Sequence, residues 1–176
     1  MFNLFLVPSK LGGIGDVEGG NVHTGYQDAS LRLYEQLAPV LEQRPCSSLV
    51  FLGHSYGGGT ATMCARLHAS TRQVDQLVTF AGPRIGDAAF ASSFDRLLGR
   101  QTIHLVHDQD PVLAQNQPLW DALGFVHTGA LVRCSASEPR LLRDGEPRTG
   151  LPLNFADHAL YLGTRLGLDP LNLGQT

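Results

Sequence analysis

The stretch at residues 49–59, LVFLGHSYGGG, constrains the fold of this chain more than any other feature. It opens with four apolar residues in a row, which predict a short strand buried on both faces. A glycine-x-serine-x-glycine pattern follows directly, and the mostly apolar segment after it predicts a helix. Such a sharp strand-to-helix turn lifts the side chain of Ser55 clear of the sheet edge, and glycines on either side let the backbone pass closely. The first N–H groups of the helix would then face a developing oxyanion, so the stretch indicates a nucleophilic serine.

Strands and helices are predicted to alternate along the rest of the chain. Further strands are predicted at residues 76–80, 102–106 and 130–134. A first helix is predicted to begin near Asp28 as its N-cap and to be kinked or shortened by Pro39. Other helices are predicted over residues 87–98 and from about Asp157 to Gly167. This alternation predicts an α/β fold with a mostly parallel sheet flanked by helices, with residues 1–176 as a single domain.

Composition and charge argue against several classes of function. With 43% hydrophobic and 16% charged residues, the chain has enough apolar side chains for a buried core. The net charge is −3 without a basic cluster, which argues against a nucleic-acid partner. The three cysteines are widely spaced and indicate thiols rather than a disulfide framework. No apolar run reaches transmembrane length, and residues 2–7 are too short for the apolar core of a secretory signal. The compartment is left open, with a cytoplasmic location as the default expectation.

A nucleophilic serine needs a base to take its proton and an acid to orient that base. In the α/β-hydrolase plan the order along the chain is serine, acid, histidine, with the acid after a later strand. Asp87, Asp108 and Asp110 all follow predicted strands. Asp87 directly precedes a predicted helix, so an N-cap is its simpler interpretation. The spacing does not separate Asp108 from Asp110, because both lie in the loop after the strand at residues 102–106.

Only two histidines follow Asp110 in the sequence. His127 lies in an apolar segment and is interpreted as a structural hydrogen-bonding residue, whereas His158 lies at a predicted loop-to-helix junction, where the base is expected. His54 is expected to point away from the site because its neighbour Ser55 points in. The chain has neither a His-Glu-x-x-His pattern nor a Cys/His spacing typical of metal ligands, so no metal site is predicted.

Several segments, in order, resemble the class 3 (fungal-type) lipases of the α/β-hydrolase superfamily. They are VHTGY at residues 22–26, GHSYGG at 53–58, FAGPRIGD at 80–87, HDQDPV at 107–112, GFVHTG at 124–129 and DHALYL at 157–162. The resemblance implies Ser55 as nucleophile, Asp110 rather than Asp108 as the acid and His158 as the base. It also implies the Tyr56 N–H as one oxyanion donor, and no cofactor.

The sequence departs from the family pattern at its start. Upstream of the VHTGY-like motif, the family has a phenylalanine-arginine-glycine-Ser/Thr segment. The last residue of that segment supplies a second oxyanion donor, and a helical lid follows it. This sequence contains no such segment. One interpretation is a chain truncated at its N-terminus. The other is that residues 2–7 form a replacement strand with a backbone N–H near Ser9. A lost strand would expose the edge of the strand at residues 49–52, which could then pair with another copy of the chain.

The resemblance implies a serine carboxylic-ester hydrolase, most simply a triacylglycerol lipase or esterase that forms an acyl-enzyme. The alternatives are a phospholipase, a short-chain esterase, or an inactive lipase-like fragment without the second oxyanion donor. Three apolar residues near the acid loop, Trp120, Leu123 and Phe125, are candidates for an acyl pocket, although core packing explains them equally well.

Overall fold

The computed structural model describes residues 8–10, 19–107, 110, 118–134, 140–142 and 158. The helices are α1 (Thr24–Gln43), α2 (Tyr56–Ala69) and α3 (Ala88–Leu98), with a 3₁₀ turn at Gly99–Gln101, and residues 118–122 are also helical. The strands are β1 (Pro8–Lys10), β2 (Asn21–His23), β3 (Val50–His54), β4 (Gln76–Phe80), β5 (Gly86–Asp87), β6 (Thr102–His107), β7 (Phe125–Val126), β8 (Ala130–Cys134) and β9 (Arg140–Leu142).

The main sheet has the strand order β3-β4-β6-β8-β9 among the described residues. The first four strands run parallel, and β9 pairs antiparallel with β8. Because the strands are parallel, the carboxyl ends of β3, β4 and β6 meet at one edge of the sheet, where loops can bring side chains together. The sheet is flanked by helices, with α2 against β3 and β4, and α1 against α2. The predicted α/β architecture is therefore confirmed.

Strand β3 lies at the outer position of this sheet among the described strands, and this overturns one expectation. Phe51 is buried, whereas Val50 and Leu52 on the opposite face are 44% and 66% exposed. The prediction of burial on both faces was wrong because a continuous apolar run reports hydrophobicity and not which of its faces is covered.

A second, antiparallel sheet has the order β1-β2-β5-β7 among the described residues. Ser9 pairs with Val22 in this sheet. The suggested replacement strand at residues 2–7 lies outside the described residues. The backbone near Ser9 belongs to the small sheet and does not flank β3.

Two apolar clusters form the core. The larger lies among α1, α2, α3 and the strands β3 and β4, and includes the fully buried Met63, Leu77 and Phe94. The smaller surrounds Val106 on β6 and Phe125 on β7. Burial of such large side chains contributes about 1.5–3 kcal/mol each, so the two clusters hold the helices and the small sheet against the main sheet.

The predicted element boundaries are confirmed in some places and wrong in others. Strands β4 and β8 have the predicted bounds. Helix α3 begins one residue after its cap Asp87, whose carboxylate accepts the Phe90 N–H at 2.9 Å. Helix α1 instead begins at Thr24, and its N-cap is His23 rather than Asp28. Pro39 lies inside α1, which continues to Gln43. His158 is helical, and the remainder of the predicted last helix lies outside the described residues.

Candidate active site

Ser55 lies in a strained turn between β3 and α2. Its backbone has φ 54° and ψ −124°, a conformation that non-glycine residues rarely adopt and that costs about 1–3 kcal/mol. The Ser55 N–H donates to the Phe80 carbonyl at the end of β4 at 2.8 Å, and the Gly58 N–H donates to the Ser55 carbonyl at 2.9 Å. A Cβ atom on Gly53 would stand 2.6 Å from the carbonyl carbon of Gly57. An alanine at position 53 would therefore force the backbone of the turn to shift.

The structure brings Ser55, His158 and Asp110 together in one chain of hydrogen bonds. Ser55 Oγ is 2.8 Å from His158 Nε2, and His158 Nδ1 is 3.0 Å and 2.9 Å from the two carboxylate oxygens of Asp110. A carboxylate only accepts hydrogen bonds, so this arrangement assigns the imidazole proton to Nδ1 and leaves Nε2 to accept from the serine hydroxyl. Asp110 is fully buried, and the His158 side chain is 18% exposed. The arrangement can abstract the serine proton.

The fold explains how residues so far apart in sequence meet. Ser55 follows β3 and Asp110 follows β6, two parallel strands with β4 between them, and both residues lie at the carboxyl edge of the sheet. The Asp110 N–H donates to the His107 carbonyl at 3.2 Å, which closes a turn directly after β6. Asp108 lies outside the described residues.

Helix α2 begins directly after the serine, with Tyr56 as its first residue. The first N–H groups of a helix have no carbonyl one turn back to bond with, so they are available to an anion. The Ser55 hydroxyl makes no capping bond to α2, which leaves it for His158. The Tyr56 ring is stacked on Tyr26 with ring centroids 4.8 Å apart, and its hydroxyl donates to the Gly25 carbonyl at 3.1 Å. These contacts fix the start of α2 against the start of α1.

His54 does not point away from the site as expected. Its Nε2 lies 2.7 Å from the backbone carbonyl oxygen of His158, and the two imidazole rings have centroids 5.0 Å apart. The expectation assumed that neighbouring side chains alternate as in a regular strand. The positive φ of Ser55 breaks that alternation.

With this geometry established, the chain can be compared with known proteins. Residues 4–116 match the family profile described as Lipase (class 3). The chain belongs to the class 3 lipase family. A secreted mono- and diacylglycerol lipase A of Penicillium camembertii is 30% identical over 145 residues, which cover 73% of this chain and 46% of that protein. A lipase of Rhizomucor miehei is 33% identical over 170 residues, which cover 86% of this chain and 46% of that protein.

Solved structures of fungal lipases have the same fold as this chain. Lipase II of Rhizopus niveus superposes with a TM-score of 0.70 at 21% identity, covering 89% of this chain and 63% of that one. The triacylglyceride lipase of Rhizomucor miehei superposes with a TM-score of 0.67 at 25% identity, covering 94% and 67%. Compared with the two lipases that match it in sequence, the chain spans about half of their length.

The candidate acyl-pocket residues lie in the smaller apolar cluster. Trp120 is 4% exposed and Phe125 is 2% exposed, packed with Ala81 and Val106, and the half-buried Leu123 packs against them. This is the environment of core residues. Contact of any of the three with an acyl chain stays a prediction.

Sequence reasoning missed a buried polar network around His104. His104 on β6 lies between two hydroxyls, with Nδ1 2.6 Å from Thr79 Oγ1 and Nε2 2.9 Å from Thr128 Oγ1. Burial lowers the pKa of His104 to about 4, so the imidazole is neutral at pH 7. Alternation along β6 places Thr102, His104 and Val106 on one buried face, and that period-two pattern was the available sequence signal.

Neither a metal-ligand cluster nor a membrane-spanning helix occurs among the described residues. No three of the described His, Cys, Asp or Glu side chains cluster closely enough to hold a metal ion. None of the described helices combines the length and apolar character needed to cross a bilayer.

Proposed function

We propose that this chain is a serine carboxylic-ester hydrolase that acts on lipid esters, with Ser55 as nucleophile, His158 as general base and Asp110 as the group that orients it. The observation that carries the proposal is the pair of contacts at His158, 2.8 Å to Ser55 Oγ and 2.9 Å to Asp110. Both lengths are those of strong hydrogen bonds. Membership of the class 3 lipase family is consistent with this assignment.

The proposed reaction has two halves. Ser55 Oγ attacks the ester carbonyl carbon while its proton moves to His158 Nε2, and the carbonyl electron pair moves to oxygen. The Tyr56 N–H at the start of α2 stabilises that oxyanion. The intermediate collapses with loss of the alcohol, which takes the proton from Nε2, and an acyl-enzyme remains. Water then attacks the acyl group and gives a proton to His158 Nε2; the bond to Ser55 breaks, Ser55 Oγ takes that proton back, and the carboxylic acid is released.

For the substrate we propose acylglycerols, because the named relatives are mono- and diacylglycerol lipases and a triacylglyceride lipase. Phospholipids and short-chain esters are the alternatives. Hydrolysis rates on triacylglycerol, diacylglycerol, phosphatidylcholine and 4-nitrophenyl butyrate, measured side by side, separate them. Higher kcat/KM on phosphatidylcholine or on the soluble butyrate than on any acylglycerol would contradict the proposed substrate class.

The first test is covalent labelling of the purified chain with an alkyl phosphonate ester, read by peptide mass spectrometry. A single adduct on Ser55, absent from Ser55→Ala, is expected. An adduct requires the base to take the serine proton and an oxyanion site to receive the phosphonyl oxygen. No adduct on folded wild-type protein would contradict the hydrolase proposal and would favour an inactive lipase-like fragment.

The two neighbouring aspartates supply a matched control for the acid. Asp110→Asn removes the negative charge and replaces one of the two acceptor oxygens beside His158 Nδ1 with an N–H donor, and is expected to slow labelling of Ser55 by roughly 10²–10⁴-fold. Asp108→Asn changes the same charge two residues away and is expected to leave the rate within about threefold. Equal losses in the two variants, or a larger loss in Asp108→Asn, would contradict the assignment of Asp110.

We also propose that the chain self-associates through the outer edge of β3. Among the described residues β3 pairs with a neighbouring strand on one side only, and Val50 and Leu52 add exposed apolar surface beside its other edge. Leu52→Lys is expected to shift the molar mass measured by light scattering from dimer to monomer, whereas Leu33→Lys, on the exposed face of α1, should not. A monomeric wild-type protein, or equal effects of the two lysines, would contradict this proposal.

A further inference from the structure

Two neighbouring residues of the nucleophile turn, His54 and Ser55, contact the same residue from different directions. Ser55 Oγ contacts the His158 ring at Nε2, at 2.8 Å, and His54 Nε2 contacts the His158 backbone carbonyl oxygen, at 2.7 Å. In a regular strand, successive side chains point to opposite faces. The positive φ of Ser55, 54°, redirects the chain after His54, and this allows both side chains to reach His158.

The two kinds of contact restrain different parts of His158. The bonds to Ser55 and Asp110 hold the imidazole ring, but a ring held only at its two nitrogens can still shift when Ser55 loses its proton and the Ser55 bond is remade. The bond from His54 holds the main chain of His158, so it fixes the point from which the ring projects. A carbonyl oxygen only accepts hydrogen bonds. His54 must therefore carry its proton on Nε2 and donate it.

We propose that His54 is a positioning residue for the reaction, which holds the backbone of the base through an N–H···O=C bond. This inference rests on the proposed function, because the base matters only if Ser55 is a nucleophile. His54 does not touch the reacting atoms and transfers no proton. Its effect is on the precision of the distance between His158 Nε2 and Ser55 Oγ, and a misplacement of about 1 Å in such a geometry can cost roughly 10²-fold in rate.

Three substitutions at position 54 separate the hydrogen bond from the volume of the side chain. In His54→Gln the amide nitrogen stands near the place of Nε2, so the donor is kept. His54→Asn keeps the amide but places it near Nδ1, short of the His158 carbonyl. His54→Leu keeps most of the volume without any donor. We expect Gln to retain the labelling rate of Ser55 within about threefold, and Asn and Leu to lose roughly 10- to 100-fold.

Two further readouts distinguish positioning from a merely structural role. The thermal midpoints of the three variants are expected to lie within about 2 °C of one another, because the bond is at an exposed residue. The loss is expected in kcat for ester hydrolysis, with KM little changed, because substrate contacts are untouched. Rates that fall equally in all three variants, that do not fall in any of them, or that follow the thermal midpoint would overturn the proposal.

The proton on His158 Nδ1 gives a test that does not depend on turnover. A proton between an imidazole and a buried carboxylate resonates far downfield in the NMR spectrum, and its position reports the His158–Asp110 geometry. The signal is expected to be kept in wild type and His54→Gln and to be shifted or broadened in His54→Asn and His54→Leu. If Ser55 proves unreactive in the wild-type protein, the proposed function fails. An NMR signal that is unchanged in all three variants would separately refute the positioning role of His54.

Discussion

The glycines of the nucleophile turn are predicted to differ sharply in their tolerance of alanine, although the sequence pattern treats them alike. A Cβ on Gly53 would stand 2.6 Å from the carbonyl carbon of Gly57 and 2.7 Å from the Cα of Gly58. Both atoms belong to the backbone, so the chain itself would have to move. A Cβ on Gly57 would meet no atom within 4 Å. Gly58 is intermediate, with a contact of 2.9 Å to the Cα of Gly82.

These contacts set the direction and size of each effect. Gly53→Ala is expected to cost about 1–3 kcal/mol, the usual range for overpacking a tight site. In a chain of this length that corresponds to a fall in the thermal midpoint of roughly 2–12 °C. Gly57 is the second residue of α2, where replacing glycine with alanine stabilises a helix by about 0.5–1 kcal/mol. Gly57→Ala is therefore expected to raise the midpoint by roughly 1–4 °C.

Thermal and urea unfolding of Gly53→Ala, Gly57→Ala and Gly58→Ala, followed by circular dichroism, measures this order directly. Stability rather than activity is the appropriate measurement, because a methyl group on Gly57 projects into open space next to Ser55 and can hinder a substrate without straining the fold. The expected order of stability is Gly57→Ala, then Gly58→Ala, then Gly53→Ala. If Gly57→Ala were destabilised as much as Gly53→Ala, the steric reasoning would be refuted.

Three further predictions concern residues outside the turn. Burial lowers the folded-state pKa of His104 from 6.5 to about 4, so on acidification the unfolded chain binds this proton before the folded chain does. His104 should therefore reduce the free energy of unfolding progressively between pH 6.5 and 4, by up to roughly 3 kcal/mol. In urea unfolding, the stability of His104→Gln should fall less steeply over that pH range. Cys46 is exposed, whereas burial raises the pKa of Cys64 to about 11. Peptide mapping after iodoacetamide treatment at pH 8 should therefore find Cys64 modified more than roughly 100-fold more slowly than Cys46. Equal rates for the two thiols would contradict the burial of Cys64. Asp87→Ala removes the cap of α3 and two bonds from Asn21, which should lower the unfolding free energy by about 1–2 kcal/mol. Asp87→Asn keeps one acceptor oxygen for the cap but puts an N–H donor where the other oxygen accepts from Asn21, so it should recover only part of the loss.

Features set by a few neighbouring residues could be predicted from the sequence. The bounds of β4 and the Asp87 cap follow from local patterns of apolar and capping residues, and the structure has both. The start of α1 could not be predicted in this way. Asp28 is the better cap by residue type, but the neighbouring strand β2 pairs with β5 and carries His23 to the helix end, where its Nδ1 accepts the Gly25 N–H at 3.0 Å. Tertiary pairing overrides the local preference there.

The candidate site shows the same division between local and tertiary information. Ser55 is identifiable because its turn is encoded within a few residues. The contact from His54 to His158 is not, because it depends on the backbone reversal at Ser55 and on a segment more than a hundred residues away. An alternation rule applied to β3 gives the opposite direction for His54, so the prediction failed directly beside Ser55, where a strained backbone replaces regular strand geometry.

The proposed acid shows how a tertiary contact supports one of two candidates that the sequence spacing treats as equivalent. Asp108 and Asp110 both follow β6, and no spacing rule prefers one, so only the family resemblance favoured Asp110. In the structure, the Asp110 N–H bonds back to the His107 carbonyl, and this turn keeps Asp110 at the carboxyl edge of the sheet, fully buried and within 3.0 Å of His158. A buried carboxylate is costly unless hydrogen bonds compensate it. The burial of Asp110 therefore calls for its hydrogen bonds to His158. A carboxylate at that position without an imidazole beside it would be disfavoured.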